Sequence, residues 1–63
     1  MSKYSLATAY APLGDKGRAL DELEQAYATR AWAMLFIRTD AELDSLRSEP
    51  RFQKVVRQMK FPP

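Results

Sequence analysis

A five-residue turn, Leu13-Gly14-Asp15-Lys16-Gly17, sits between two segments with helical periodicity, and it limits what this chain can fold into. Before the turn, Leu6, Ala7, Tyr10 and Leu13 recur at the spacing that gathers side chains on one helical face. Gly14 is a natural stop, because glycine alone enters the left-handed cap conformation without penalty. Asp15 follows as an N-cap, its carboxylate placed to accept the unpaired N–H groups of the next first turn. The second segment carries Ala19, Leu20, Leu23, Ala26 and Tyr27 on one side, with Arg18, Asp21, Glu22 and Gln25 mostly on the other. The stretch Leu6 to Tyr27 therefore predicts two helices folded back on each other. Ala19 and Ala26 allow close approach, and Leu6, Tyr10, Leu23 and Tyr27 fill the wider gaps.

With 63 residues, the chain is one small domain. A domain of this size buries only about 60% of its unfolded surface, so its stability is marginal. The sequence contains no cysteine and no histidine. Disulfides are excluded, and so in practice is a structural zinc site; no cofactor is expected. The missing residue types are also the commonest general bases and nucleophiles, so an enzyme is not expected. Carboxylate pairs (Asp21 with Glu24, Asp40 with Asp44) fall on predicted solvent faces. Gly14-Asp15-Lys16-Gly17 lacks the spacing of a phosphate loop. No run approaches the roughly 20 apolar residues of a membrane span, and no hydrophobic segment follows Met1-Ser2-Lys3. The default expectation is a cytoplasmic protein.

Along the chain, Ser2 caps a first helix that should run to about Leu13. Pro12 lies in its last turn, where it removes a backbone donor and should bend or tighten the helix. The second helix should begin near Lys16, and no strong breaker appears between Arg18 and Pro50. At Thr29-Arg30-Ala31 two readings stay open. Either a short turn lets a third helix, Ala31 to Ile37, fold back, or the second helix continues through Trp32, Leu35 and Phe36 as a rod. The rod could not cover its own hairpin and would give an exchanged dimer. Further on, Thr39-Asp40-Ala41-Glu42 fits a capping box, and a short helix from about Asp40 to Arg47 would turn Leu43 and Leu46 inward. Ser48-Glu49-Pro50 opens the last helix, with proline where its missing N–H costs nothing. Phe52, Val55, Val56 and Met59 form its apolar stripe, and Phe61-Pro62-Pro63 ends it.

Leu6-Ala7-x-x-Tyr10, then Gly14-Asp15, then Ala19-x-x-x-Leu23-x-x-Ala26 resembles a tetratricopeptide repeat, a helix–turn–helix of about 34 residues. The likeness covers about half of the chain. Three positions depart from the pattern: Lys3 stands for Trp, Ala7 for Gly, and Ala31 for the closing Pro. The segment Trp32 to Met59, with Leu46-Arg47-Ser48-Glu49-Pro50-Arg51-Phe52 at its centre, is similar to the tail that ends many bacterial repeat arrays. Together these imply an all-α domain, a hairpin over residues 2–30 followed by two or three shorter capping helices over 31–63. The implied role is protein–protein interaction or the terminal cap of an array. The resemblance also implies a partner groove on the first helix, lined by Tyr4, Thr8, Ala11 and Pro12. None of the four is basic or an amide, so the carboxylate capture known in that family is not expected.

A lone repeat unit cannot bury its hydrophobic face by itself. It must cover itself with its C-terminal helices or associate with a protein partner, and a homodimer through Trp32, Leu35 and Phe36 is the leading expectation. Large aromatics are enriched in interface hot spots, though a small core needs them as well. The charge is +2 overall and unevenly placed: residues 1–30 balance, and no acid occurs from Arg51 to Phe61. Arg51, Lys54, Arg57 and Lys60 recur along one side of the last helix and could touch phosphates. A solvated face opposite the apolar stripe explains them more simply, so nucleic-acid binding is the secondary reading.

Overall fold

Gly14 has φ +83°, and the hairpin turns on it. The computed structural model describes residues 2–59, and every described element is helical, so the fold is all-α. Helix α1 spans Lys3–Tyr10, α2 spans Lys16–Ala28 and α3 spans Pro50–Gln58. Three 3-10 segments, Ala11–Leu13, Trp32–Phe36 and Ala41–Leu46, make the connections.

Ser2 caps α1, its Oγ accepting from the Ser5 N–H at 3.1 Å. Pro12 tightens the end of that helix into the Ala11–Leu13 segment. A 3-10 turn holds three residues rather than 3.6, which rotates the following side chain off the helical face. Leu13, expected on the buried stripe, is accordingly 79% exposed. The buried face of α1 is instead Tyr4 and Ala7, continued by Ala11 of the 3-10 segment, with Leu6 and Tyr10 half-buried at its margins. Ala7 and Ala11 share one core with Ala19 and Ala26 of α2, so both helices contribute small residues.

The two hairpin helices end in the same way. Gly14 N–H donates to Ala11 O and Asp15 N–H to Tyr10 O; Arg30 N–H donates to Tyr27 O and Ala31 N–H to Ala26 O. Each pair is a Schellman motif, which requires a left-handed residue at its corner. In the second motif that residue is Arg30, with φ +56°. This settles the choice at residues 29–31 in favour of a turn: α2 stops at Ala28 and the chain folds back.

Beyond the turn, Trp32–Phe36 forms a 3-10 segment in place of the expected helix from Ala31 to Ile37. Its period of three turns Met34 and Ile37 into the core together. The expected cap of the next segment, Thr39, is replaced by Asp40. The Asp40 carboxylate accepts from Glu42 N–H at 3.0 Å, and Thr39 Oγ1 donates to Phe36 O. Leu43 and Leu46 point inward as expected. Pro50 occupies the first turn of α3, and Phe52 and Val55 bury its apolar stripe, with Val56 and Met59 half-buried. The expected end at Phe61-Pro62-Pro63 lies outside the described residues.

The Leu46–Phe52 string is structural at nearly every position. Leu46 is in the core. The Arg47 guanidinium donates to Asp44 at 2.8 Å, to Asp40 O at 2.9 Å and to Ile37 O at 3.3 Å, which ties down the carbonyls of the preceding turn. Glu49 pairs with Lys16 at 3.8 Å. Arg51 reaches back to α2. Phe52 is buried, with the Arg47 guanidinium 5.7 Å above its ring.

Candidate interaction surface

The inward turn of Met34 and Ile37 forces their neighbours outward. Trp32 is 76% exposed, Leu35 63% and Phe36 53%. The rings of Trp32 and Phe36 lie 6.5 Å apart at 58°, a tilted pair that holds both on the surface. Aromatic side chains carry roughly 150–250 Å² each, so these two rings alone leave on the order of 250 Å² in water. With Leu35 the patch falls in the range of the largest apolar patch on a typical monomer, about 300–600 Å², which is often functional.

Beside this patch lies an open groove of about 520 Å³. Trp32 and Leu35 form one wall, and Tyr27, Arg30, Met34 and Met59 contribute to the rest. Three segments distant in sequence meet here: the end of α2, the Trp32–Phe36 segment and the end of α3. Tyr27 fixes two of them by donating from Oη to Gln58 O at 3.2 Å. Arg30 supplies the cationic corner, placed there by the turn it forms.

The four residues implied as a partner groove on α1 are not brought together on an open surface. Tyr4 and Ala11 are in the core, and Thr8 is half-buried. The Ala41–Leu46 segment lies against this side of the hairpin: Tyr4 Oη donates to Asp40 at 2.8 Å, and Ser45 Oγ donates to Ala11 O at 3.2 Å. Of the four, only Pro12 is fully exposed. The chain's own C-terminal half covers this side of the hairpin.

The basic side of α3 is also divided. Arg51 donates to Glu24 at 2.8 and 3.0 Å and to Asp21 at 2.7 Å. This fork holds the Glu24 carboxyl below the usual carboxylate range and pushes the Arg51 guanidinium up. Asp21 and Glu24, surface charges by sequence pattern, are thus the acidic half of a helix–helix clamp. Asp40, also expected on a solvent face, is half-buried beneath Tyr4. Lys54 and Arg57 remain exposed, and Lys60 lies outside the described residues.

No protein-family model, curated protein or solved structure matches this chain. Its functional reading rests on its own geometry. Among the described residues, no helix is long and apolar enough to cross a membrane.

Trp32, Leu35 and Phe36, singled out by sequence reasoning, are exposed, and the groove beside them also takes in Tyr27, Arg30 and Met59, which sequence reasoning does not place there. Periodicity assigns Tyr27 to the buried face of α2 and Met59 to that of α3. A left-handed Arg30 leaves no signal in a stretch of good helix formers.

Proposed function

We propose that this chain is a protein–protein interaction module of the helical-repeat kind, a self-associating terminal cap of the type its hairpin resembles. Its contact face is Trp32, Leu35 and Phe36, and its first partner is a second copy of itself. The observation that carries this reading is the exposure of Trp32 and Leu35 beside a groove in the same surface. A two-fold symmetric interface uses one patch on both subunits, so that patch must contain both knob and recess. Here Trp32 and Leu35 stand beside the recess next to Tyr27, Met34 and Met59, which meets that requirement. The C-terminal half covers the hairpin, so the core is buried without a partner and the reading rests on the exposed apolar residues alone. A cytoplasmic location goes with this proposal.

The nucleic-acid reading is the weaker one. It needs Arg51 facing outward with Lys54 and Arg57, and Arg51 is held by Asp21 and Glu24.

Trp32 is the only tryptophan in the chain, so its emission reports directly on this face. As protein concentration rises from low micromolar to millimolar, the emission should shift to the blue and its anisotropy should rise. Emission that stays water-like over that range would count against the proposal.

A further inference from the structure

Nearly every carboxylate of the chain is matched within its own fold. Asp15, Asp21, Glu22, Glu24, Asp44 and Glu49 lie in ion pairs, and Asp40 accepts from the Tyr4 hydroxyl. Glu42 is the exception. It is exposed, and its carboxylate has no hydrogen bond or ion pair among the described residues. The cations divide in the same way. Lys3, Lys16, Arg18, Arg47 and Arg51 are ion-paired, and Arg38 is engaged as well. Arg30, Lys54 and Arg57 are exposed, with no hydrogen bond or ion pair from their side chains among the described residues. Of these three, only Arg30 lines the Trp32 groove; Lys54 and Arg57 line other recesses.

The unmatched acid and the unmatched base at the groove bracket the apolar face along the chain. Arg30 stands two residues before Trp32. Glu42 follows the turn that closes on Phe36: Asp40 N–H donates to Phe36 O at 2.9 Å, and the Asp40 carboxylate accepts from Glu42 N–H at 3.0 Å. Trp32, Leu35 and Phe36 fall between the two charges.

We propose that Arg30 and Glu42 set the register of the self-association face, Arg30 of each copy pairing with Glu42 of the second copy across the apolar residues. The inference rests on the self-association reading and specifies how the two copies meet. A two-fold axis exchanges the ends of a shared patch, so a base at one end and an acid at the other meet twice. The opposite register would set Arg30 against Arg30 and Glu42 against Glu42, which like-charge repulsion disfavours. Charge complementarity thus selects a second copy as the occupant, because the face carries both members of the pair. Exposed pairs of this kind add little raw affinity. The apolar residues supply the association, and the charges orient it and reject other arrangements.

The test is sedimentation equilibrium on the full chain at about 0.15 M salt, where exposed charges more than about 8 Å apart are largely screened. R30E and E42R should each raise the dimer Kd by roughly tenfold, because each turns two symmetry-related attractions into repulsions. Combining R30E with E42R restores opposite charges and should bring Kd back to within about threefold of the parent, the coupling that a double-mutant cycle reads. R30Q, which removes the charge without reversing it, should weaken association less than R30E. R57E changes the net charge as R30E does, away from this face, and should leave Kd within about twofold of the parent. Circular dichroism confirms that each variant is folded. A parent dimer unmoved by either reversal, or a double variant no tighter than the single ones, would overturn this inference and leave self-association standing. A parent monomeric at every concentration would overturn both, and would leave the face to a foreign partner.

Discussion

Tyr4 and Asp40 lie 36 residues apart in sequence, yet the Tyr4 hydroxyl donates to the Asp40 carboxylate at 2.8 Å. The contact joins α1 to the Ala41–Leu46 segment, and Asp40 also caps that segment through Glu42 N–H. Removing the hydroxyl in Y4F should cost about 1 kcal/mol, the net worth of one hydrogen bond. D40A should cost more, because it also removes a cap worth about 0.5–2 kcal/mol. Thermal unfolding by circular dichroism reads both; for a domain this small each kcal/mol moves Tm by roughly 4–8 °C.

The same pair gives an alkaline signature. Burial first, and then the Asp40 carboxylate, raise the Tyr4 pKa above its ordinary value. The unfolded chain therefore releases this proton at lower pH than the folded one. Tyr4 contributes stability that is fully present below its ordinary pKa of about 10 and is lost as pH rises beyond it. Denaturant melts from pH 8 upward should show stability falling above about pH 10 more steeply in the parent than in Y4F. Equal slopes would contradict the assignment.

On the acid side the sign reverses. The Arg51 fork, the largest influence on Glu24, depresses its folded pKa. Stability from this clamp is present above the ordinary glutamate pKa and is lost as pH falls through the folded value. The groups are solvated, so R51A should destabilise by no more than about 1 kcal/mol at neutral pH. Its deficit should shrink toward zero under acid and in high salt. Urea titrations of parent and R51A between neutral pH and pH 3 follow that convergence.

The matched helix ends permit an internal comparison. Gly14 and Arg30 hold the same corner of the same motif, at φ +83° and +56°. A left-handed conformation costs a side-chain-bearing residue roughly 1–2 kcal/mol. R30G should therefore stabilise the fold, by up to about 1 kcal/mol once the extra freedom of glycine in the unfolded chain is counted. G14A should destabilise by about 1–2 kcal/mol through the backbone alone, since an added Cβ would meet nothing within 4 Å. Chemical denaturation of the two variants should move in opposite directions.

Much of the hairpin is legible in the sequence because its signals are local. Ser2, Gly14, Asp15 and Pro50 act within a few residues of themselves, and each does what its chemistry predicts. The region from Thr29 to Arg38 is less legible for two physical reasons. The stop at Arg30 contradicts local propensity and is imposed by tertiary packing, as Met34 and Ile37 enter the core. The switch from a period of 3.6 to one of three then changes which apolar residues face inward, so Met34 and Ile37 are core although no helical stripe marks them. The clamp between Arg51 and Asp21 of α2 and the latch between Tyr4 and Asp40 pair residues 30 and 36 apart, which no periodicity reveals.

That inward and outward division can be tested directly. I37A should cost about 2–5 kcal/mol, the range for truncating a large aliphatic side chain in a packed core. L35A, two residues away, should stay within about 0.5 kcal/mol when measured in dilute protein. Similar losses at both positions would mean that the segment packs differently.

The most direct test of the central claim is molar mass by light scattering on a sizing column, over a wide range of protein concentration. The parent should pass from monomer to dimer as concentration rises. The double variant W32S and L35S should remain monomeric throughout and still unfold cooperatively at low concentration. A parent that stays monomeric at every concentration, or a dimer that persists in the double variant, would contradict self-association through this face.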